Sequence, residues 1–209
     1  MADLELWTWP TPNGRKVSIL LEECGLDYDP YPVDIRRGEQ LAPDFLALNP
    51  NNKIPVLRDN APSDGGAPVV IWESGAILLY LAERTGRFLP GEMRARWAVT
   101  QWLMFQMGGV GPMHGQANHF CAYIAEPIPY ARDRYRTEAE RIYSVCDERL
   151  GAVPWIGGES YSIADMAVAP WLRVLSGHYD ASTELGLTDF PRVNAYLDRF
   201  LARPAVQRG

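Results

Sequence analysis

Cysteine is scarce in this chain of 209 residues: Cys24, Cys121 and Cys146 are odd in number and far apart. That distribution offers neither a disulfide framework nor metal-ligand spacing, and it fits a reducing compartment. Each reads as a small buried hydrophobe. Histidine is equally scarce. His114 and His119 are five apart, which does not place them on one helical face. With His178 they complete the set, so no metal site is expected. No apolar run approaches about 18 residues, so no bilayer-spanning helix is expected. Positive charge is in deficit, 20 Lys and Arg against 26 Asp and Glu for a net −6. That balance argues against a nucleic-acid partner, which needs a clustered excess of cations. Asp3 and Glu5 stand where a signal peptide would be basic and then apolar, so no leader and a cytoplasmic location are expected.

What is present is a chain of 47 % apolar and 22 % charged residues, enough for a buried core. Its most informative stretch is Thr11-Pro12-Asn13-Gly14-Arg15-Lys16. It follows a short apolar strand (Leu4 to Thr8) and opens a helical pattern (Val17, Ile19, Leu20, Leu21, Cys24). A hydroxyl and a carboxamide therefore sit where a strand hands over to a helix N-terminus. In thioredoxin-like folds a redox Cys-x-x-Cys would occupy that turn. Here no cysteine is present, so any thiol chemistry needs a thiol brought by a cofactor.

The first 80 or so residues alternate strand and helix patterns. Tyr31 to Asp34, Ile54 to Arg58 and Val69 to Trp72 read as further strands, with Pro43 to Leu48 and Ser74 to Thr85 as helices. Asp59 to Pro68 is a turn-rich hairpin connection. This order implies a mixed sheet with helices packed on it. Everything later is helical in pattern: Met93 to Met107, Tyr130 to Leu150, Ile163 to Leu175 and Pro191 to Leu201. Gly108-Gly109-Val110-Gly111-Pro112 is expected to break or kink the first of these. Lacking a preceding strand and a following Gly-Lys-Ser/Thr, it is no phosphate loop. In Ser162-Ile163-Ala164-Asp165 a capping box is expected, Ser162 accepting from the Asp165 N–H and Asp165 reaching back to the Ser162 N–H. The organisation read here is an α/β thioredoxin-like domain over 1–85, a linker over 86–92 and an all-α helical bundle domain over 93–209.

Three segments of the first domain belong together: the Thr11 turn, Asn51-Asn52-Lys53-Ile54-Pro55, and Trp72-Glu73-Ser74-Gly75. Pro55, at the start of a strand, is a candidate cis-proline, since X–Pro bonds alone make cis accessible. A strand running into a helix at Ser74 offers N–H groups and a hydroxyl for a carboxylate, with Glu73 alongside for an ammonium. Together they suit a small extended zwitterion with a thiol in its middle.

Over nearly its whole length the chain resembles the glutathione transferases, through Lys53-Ile54-Pro55, Glu73-Ser74 and the Ser162-to-Asp165 capping box. Thr-Pro-Asn-Gly, Pro50-Asn51-Asn52 and Gly108 to Met113 look like the bacterial nu class, whose members are glutathione-dependent disulfide reductases. The resemblance implies that Thr11 and Asn13 face the glutathione sulfur and favour its thiolate. By the same resemblance Gln40 and Lys53 hold the glycine-end carboxylate, and backbone groups of Ile54 pair with the cysteinyl residue. Glu73 and Ser74 would bind the γ-glutamyl end, and Arg134 a second glutathione. Trp9, with Phe120, Tyr123 and Tyr130 from the helical side, could line the second-substrate pocket. Substrates implied are glutathione and a small disulfide or organic hydroperoxide; no metal is implied, and a homodimer is. The active-site cysteine of the omega and beta classes is missing, so no protein–glutathione mixed disulfide is expected.

Each of these residues also has an ordinary reading. Thr11 and Asn13 alone are a turn and a helix cap, Pro55 alone begins an edge strand, and Gln40 and Lys53 alone are solvated. Arg134 sits in a charge-rich helix where most charges form a solvated face. Two other functions share the pattern: a transferase conjugating glutathione to electrophilic carbon, and a non-catalytic glutathione-binding regulator.

Overall fold

The computed structural model describes residues 2–177 and 189–209; His178 lies outside them. The sheet is built around strand β1 (Leu4–Thr8). Successive side chains of a strand face opposite ways, so Leu4 and Leu6 are buried in one layer while Trp7 enters another. Strand β1 runs parallel to β2 (Tyr28–Pro32) and antiparallel to β3 (Val56–Asp59), which pairs antiparallel with β4 (Val69–Trp72). The order is β2-β1-β3-β4. A parallel pair needs a crossover, here helix α1 (Pro12–Cys24). Helix α2 (Pro43–Leu48) brings Phe45 against Val33 and Val56, with Trp7, Leu48 and Ile54 packed around them. Helix α3 (Ser74–Thr85) packs on α1. Its attachment to the sheet is polar: buried Asp59 accepts from Tyr80 Oη (2.6 Å), from Ala61 N (3.0 Å) and from the Arg84 guanidinium.

Strand β2 begins three residues earlier than its apolar pattern suggested and ends at Pro32 rather than Asp34. Pro30 and Pro32 are accommodated because β2 is an edge strand, where a missing proline N–H costs no ladder bond. Val33 still donates to Thr8 O at 2.9 Å before the chain turns away. Strand β3 starts at Val56, after the Ile54–Pro55 peptide, which is cis.

By internal contacts the chain divides into Met1–Arg87 with Pro204–Gly209, and Phe88–Arg203. The last residues therefore do not stay with the helical domain, as the 93–209 boundary had them. The C-terminal helix α9 (Pro204–Arg208) packs on α1 through buried Ala205 and Val206 and an Arg208–Glu22 ion pair of 2.7 Å. Five residues carry too little periodicity for that docking to be read from sequence.

The second unit begins with α4 (Met93–Phe105), capped by Glu92, whose carboxylate accepts from Arg94 N (2.9 Å) and Ala95 N (2.8 Å). Those bonds hold its carboxyl below the ordinary range. The glycine run does not break the helix. A π-helical turn (Gln106–Val110) leads into α5 (Gly111–Asn118) and a second π turn (His119–Tyr123). Pro112 falls in the first turn of α5, where a missing N–H is least costly. Helices α6 (Pro129–Ala152), α7 (Ile163–Gly177) and α8 (Pro191–Leu201) complete this unit. Ala139, Ile142, Tyr143 and Cys146 of α6 are buried. Cys146 fits its reading as a buried hydrophobe, whereas Cys24 and Cys121 are only half-buried. Trp72 and Trp97 are 40 % and 63 % exposed.

The start of α7 is organised by Asp165, fully buried. Its carboxylate accepts from Ile156 N (2.7 Å), Ser162 N (2.9 Å) and Ser162 Oγ (3.0 Å). Only half of the expected capping box forms. The Asp165 N–H bonds the Ser162 carbonyl (3.0 Å), and the Ser162 hydroxyl donates to the carboxylate instead of accepting. Burial pushes the Asp165 carboxyl up to about 6 against those bonds. A pKa above the unfolded value means this group favours the fold most at acid pH and loses that contribution as pH rises through about 6. Removing the side chain leaves three buried donors unpaired, each costing about 1–3 kcal/mol. Asp165→Ala should lower the free energy of unfolding by at least about 3 kcal/mol in urea titrations; a loss below about 1 kcal/mol would contradict this reading.

Candidate active site

The Thr11 turn is held by local chemistry. Thr11 takes an extended conformation as the N-cap of α1, and its Oγ1 accepts from Gly14 N at 3.3 Å. A hydroxyl accepting one bond still carries its own proton to donate. Pro12 follows at N1, where its fixed φ suits the helix. Gly14 has no alternative: a Cβ there would lie 2.2 Å from Trp9 O and 2.5 Å from Thr8 Oγ1. Strand end and helix start thus meet backbone to backbone. Asn13, at the second position of the helix, is half-buried.

The second segment is fixed by a residue that the motifs did not single out. Asn49 is buried; its Nδ2 donates to Lys53 O (2.7 Å), and its Oδ1 accepts from Asn51 N (2.9 Å). Asn52 adopts φ 50°, in the left-handed region, which Asn tolerates better than most residues. The side chain of Asn49 therefore closes the turn that delivers Lys53 and Ile54. An Asn before Pro-Asn-Asn is a local signal for such a side-chain-closed turn. Lys53 is exposed, Ile54 is half-buried in the Phe45 cluster, and Pro55 is buried. Gln40 lies in a short 3₁₀ turn (Glu39–Leu41), with its Oε1 buried and unpartnered among the described residues.

At the third segment Glu73 is exposed, caps α3 and has φ 73° with ψ 114°. A non-glycine residue there stores about 1–3 kcal/mol of strain. Ser74 behind it is buried, and its Oγ accepts from Lys16 Nζ at 3.2 Å. Lys16 is itself fully buried. Burial lowers its pKa from 10.5 to about 7, with Glu73 pulling the other way. Sequence reading treated Lys16 only as part of the turn. A lysine among Val17, Ile19 and Leu20 was the one signal that could have found it.

In the second unit Arg134 and Tyr130 line an open groove of about 580 Å³ with Met113, Asp133, Tyr135, Thr137 and Glu138. Of the other aromatic candidates, Phe120 stacks on Tyr135 (5.2 Å, 10°) and Tyr123 is 61 % exposed; neither lines that groove. In the first unit Trp9 is half-buried beneath the Arg36 guanidinium, 5.6 Å above its ring. His114 is buried, stacked on Tyr143, with Nδ1 3.3 Å from Trp171 O; burial takes its pKa down to about 4. Among the described residues no cluster of three or more metal-ligating side chains occurs.

Residues 11–84 match the family described as glutathione S-transferase, N-terminal domain, and 129–199 the glutathione S-transferase, C-terminal domain. The chain is 48 % identical to the disulfide-bond oxidoreductase YfcG of Escherichia coli (strain K12), over 97 % of this chain and 92 % of that protein. It is similar to a Burkholderia graminis glutathione transferase solved with two glutathione molecules per subunit: 47 % identity, 99 % of this chain and 87 % of that one, TM-score 0.96. It is also similar to a Pseudomonas putida glutathione transferase solved with one glutathione disulfide per subunit: 44 % identity, 99 % and 90 % coverage, TM-score 0.96. The chain belongs to the glutathione S-transferase superfamily, with a four-stranded mixed sheet in one unit and helices in the other.

The strain at Glu73 yields a test independent of any ligand. Glycine removes the Cβ clash of that conformation, at about 0.5–1 kcal/mol of extra chain entropy. Glu73→Gly should therefore unfold in urea at an unchanged or higher free energy, by up to about 2 kcal/mol. A loss of more than about 1 kcal/mol would show the conformation to be unstrained.

Proposed function

We propose that this chain is a nu-class glutathione-dependent disulfide-bond reductase. The observation that carries the reading is the α1 N-cap. Thr11 accepts from Gly14 N and keeps its own proton to donate, at a helix start that has no protein thiol. Relatives of similar sequence that bear the name disulfide-bond oxidoreductase, or hold glutathione or its disulfide, support the choice of ligand.

In this reading Thr11 and Asn13 donate to the glutathione sulfur, and the partial positive charge of the α1 N-terminus favours its thiolate. Lys53 and the amide of Gln40 hold the glycine-end carboxylate. Backbone groups of Ile54 pair with the cysteinyl residue, and Glu73 with Ser74 takes the γ-glutamyl end. The thiolate attacks one sulfur of a small disulfide, forming a glutathione mixed disulfide and expelling the other sulfur as a thiolate. A second glutathione thiolate then attacks the glutathione sulfur of the mixed disulfide, giving glutathione disulfide and releasing the remaining substrate thiolate. Arg134 and Tyr130, in their groove, are the residues proposed to hold that second glutathione. Hydroperoxides would be reduced by the same pair of thiols.

Activating the thiol is a small part of the rate. A thiol of pKa about 8.5 is roughly 3 % ionised at pH 7, and about 75 % ionised if lowered by about 2 units. Nucleophilicity falls roughly eightfold over that range, leaving a net gain of about threefold. Alignment of sulfur with sulfur supplies the rest. A homodimer and a cytoplasmic location belong to the same proposal. Met93, Trp97 and Met104 are 61 %, 63 % and 47 % exposed on α4 at near-helical spacing, an apolar surface that a second subunit could cover.

Glutathione-dependent reduction of 2-hydroxyethyl disulfide, followed by coupled NADPH consumption, tests the activity; robust turnover with little aryl-halide conjugation is expected. Turnover of the aryl halide alone would favour the conjugating alternative. Thr11→Asp separates the two jobs of Thr11. Aspartate caps a helix as well as threonine but accepts only, so stability should stay within about 0.5 kcal/mol while activity falls more than about tenfold. Thr11→Ser should keep both. Full activity in Thr11→Asp would reduce Thr11 to a cap. Arg134→Ala should lower the calorimetric stoichiometry of glutathione binding from two molecules per chain towards one, and unchanged stoichiometry would remove Arg134 from the second site.

A further inference from the structure

A lysine is among the least favourable residues to bury, and Lys16 is fully buried with its nitrogen on Ser74 Oγ. Ser74 is the first residue of α3 and, on the reading above, receives the γ-glutamyl α-carboxylate. The geometry points to Lys16 as a positioning residue for glutathione. It places a positive charge behind Ser74, opposite the incoming carboxylate, and its N–H donation turns the Ser74 hydroxyl proton away from α1. The inference rests on the glutathione reading of this pocket.

The empty pocket and the occupied one treat that charge differently. Without ligand, burial disfavours the ammonium and outweighs the pull of Glu73, lowering the pKa of the nitrogen to about 7. Several other charged groups on the elements around it have partners of their own. In α1, Glu22 pairs with Arg208 of α9, and Arg15 donates to the Gly209 carbonyl. Glu5 of β1 pairs with Arg58 of β3, and Asp59 of β3 with Arg84 of α3. A carboxylate arriving at Ser74 favours the charged form. Glutathione binding and protonation of Lys16 are therefore linked, and binding takes up a proton where Lys16 would otherwise be neutral. Folding has the opposite dependence. Because the unfolded chain holds the Lys16 proton up to about 10.5, the contribution of this group to stability rises from about pH 7 towards 10.5. Affinity should fall over the beginning of the range where stability rises.

The probe is S-methylglutathione, which has no thiol proton, titrated calorimetrically in buffers of different ionisation enthalpy. The unmodified protein should bind it with uptake of roughly three quarters of a proton at about pH 7.5. Affinity should fall about five- to tenfold between about pH 6 and pH 8. In Lys16→Met the uptake should vanish. Affinity at about pH 6 should drop on the order of tenfold and stay flat, meeting the unmodified protein at higher pH. In turnover, its KM for glutathione should rise by a larger factor than its kcat falls. Equal affinity and equal pH slope in the two proteins would overturn the role of Lys16 and leave the glutathione pocket standing. Absence of proton uptake by the unmodified protein would overturn it as well, without any variant having to fold. Failure of the unmodified protein to bind S-methylglutathione at any pH would overturn the pocket reading itself.

Discussion

The close approach of α1 to the end of β1 is the constraint on which the site depends. With the Gly14 position lying against Trp9 O, the first turn of the helix is fixed relative to the strand by backbone contact rather than by adjustable side chains. That fixes the Thr11 cap, and with it the direction of the exposed N–H groups of α1. It also fixes which residues of the helix face inward. Lys16, two positions on, is carried into the interior as far as the start of α3. One steric condition at a single glycine thus orients the Thr11 hydroxyl at the start of α1 and carries the Lys16 nitrogen to Ser74.

The start of α3 collects costs that a purely structural helix would avoid. Glu73 sits at positive φ, Ser74 is a buried polar residue, and a lysine nitrogen is buried beside it. Such features persist only where the surroundings over-determine them. Here the surroundings are the polar anchor of α3 on β3, through Asp59 with Tyr80 and Arg84, and the apolar packing of Ile77, Leu78 and Leu81. Strain and desolvation at one end of the helix are offset by firm attachment along the rest. Their concentration at the start of α3 is what supports the ligand site proposed there.

Most of the architecture was legible because it rests on periodicity. Alternation in Leu4 to Thr8, the helical spacing of Val17, Leu20 and Leu21, and the turn residues between them led directly to a mixed sheet with helices on it. Failures came where a rule was outweighed. The strand read from Tyr31 to Asp34 begins at Tyr28 and includes Pro30 and Pro32, and five residues of α9 were too few to show a face. Gly108 to Pro112 continued as helix because π turns satisfy the backbone there and Pro112 falls where its N–H is not needed. The site was legible as motifs but not as mechanics. Thr11, Asn13, Lys53, Glu73 and Ser74 were visible in the chain. Asn49, which closes the 49–53 turn, and Lys16, which reaches Ser74, act through tertiary contacts that no local pattern encodes.

The central claim is that a ligand thiol occupies the place of a protein thiol at the start of α1, and that Thr11 and Asn13 favour its ionised form. The direct measurement is an ultraviolet titration of thiolate absorbance for glutathione bound to the protein, against free glutathione. The account predicts a midpoint lowered by about 2 pH units in the complex, with the shift lost in Thr11→Asp. A bound thiol that ionises at the same pH as the free one would contradict it.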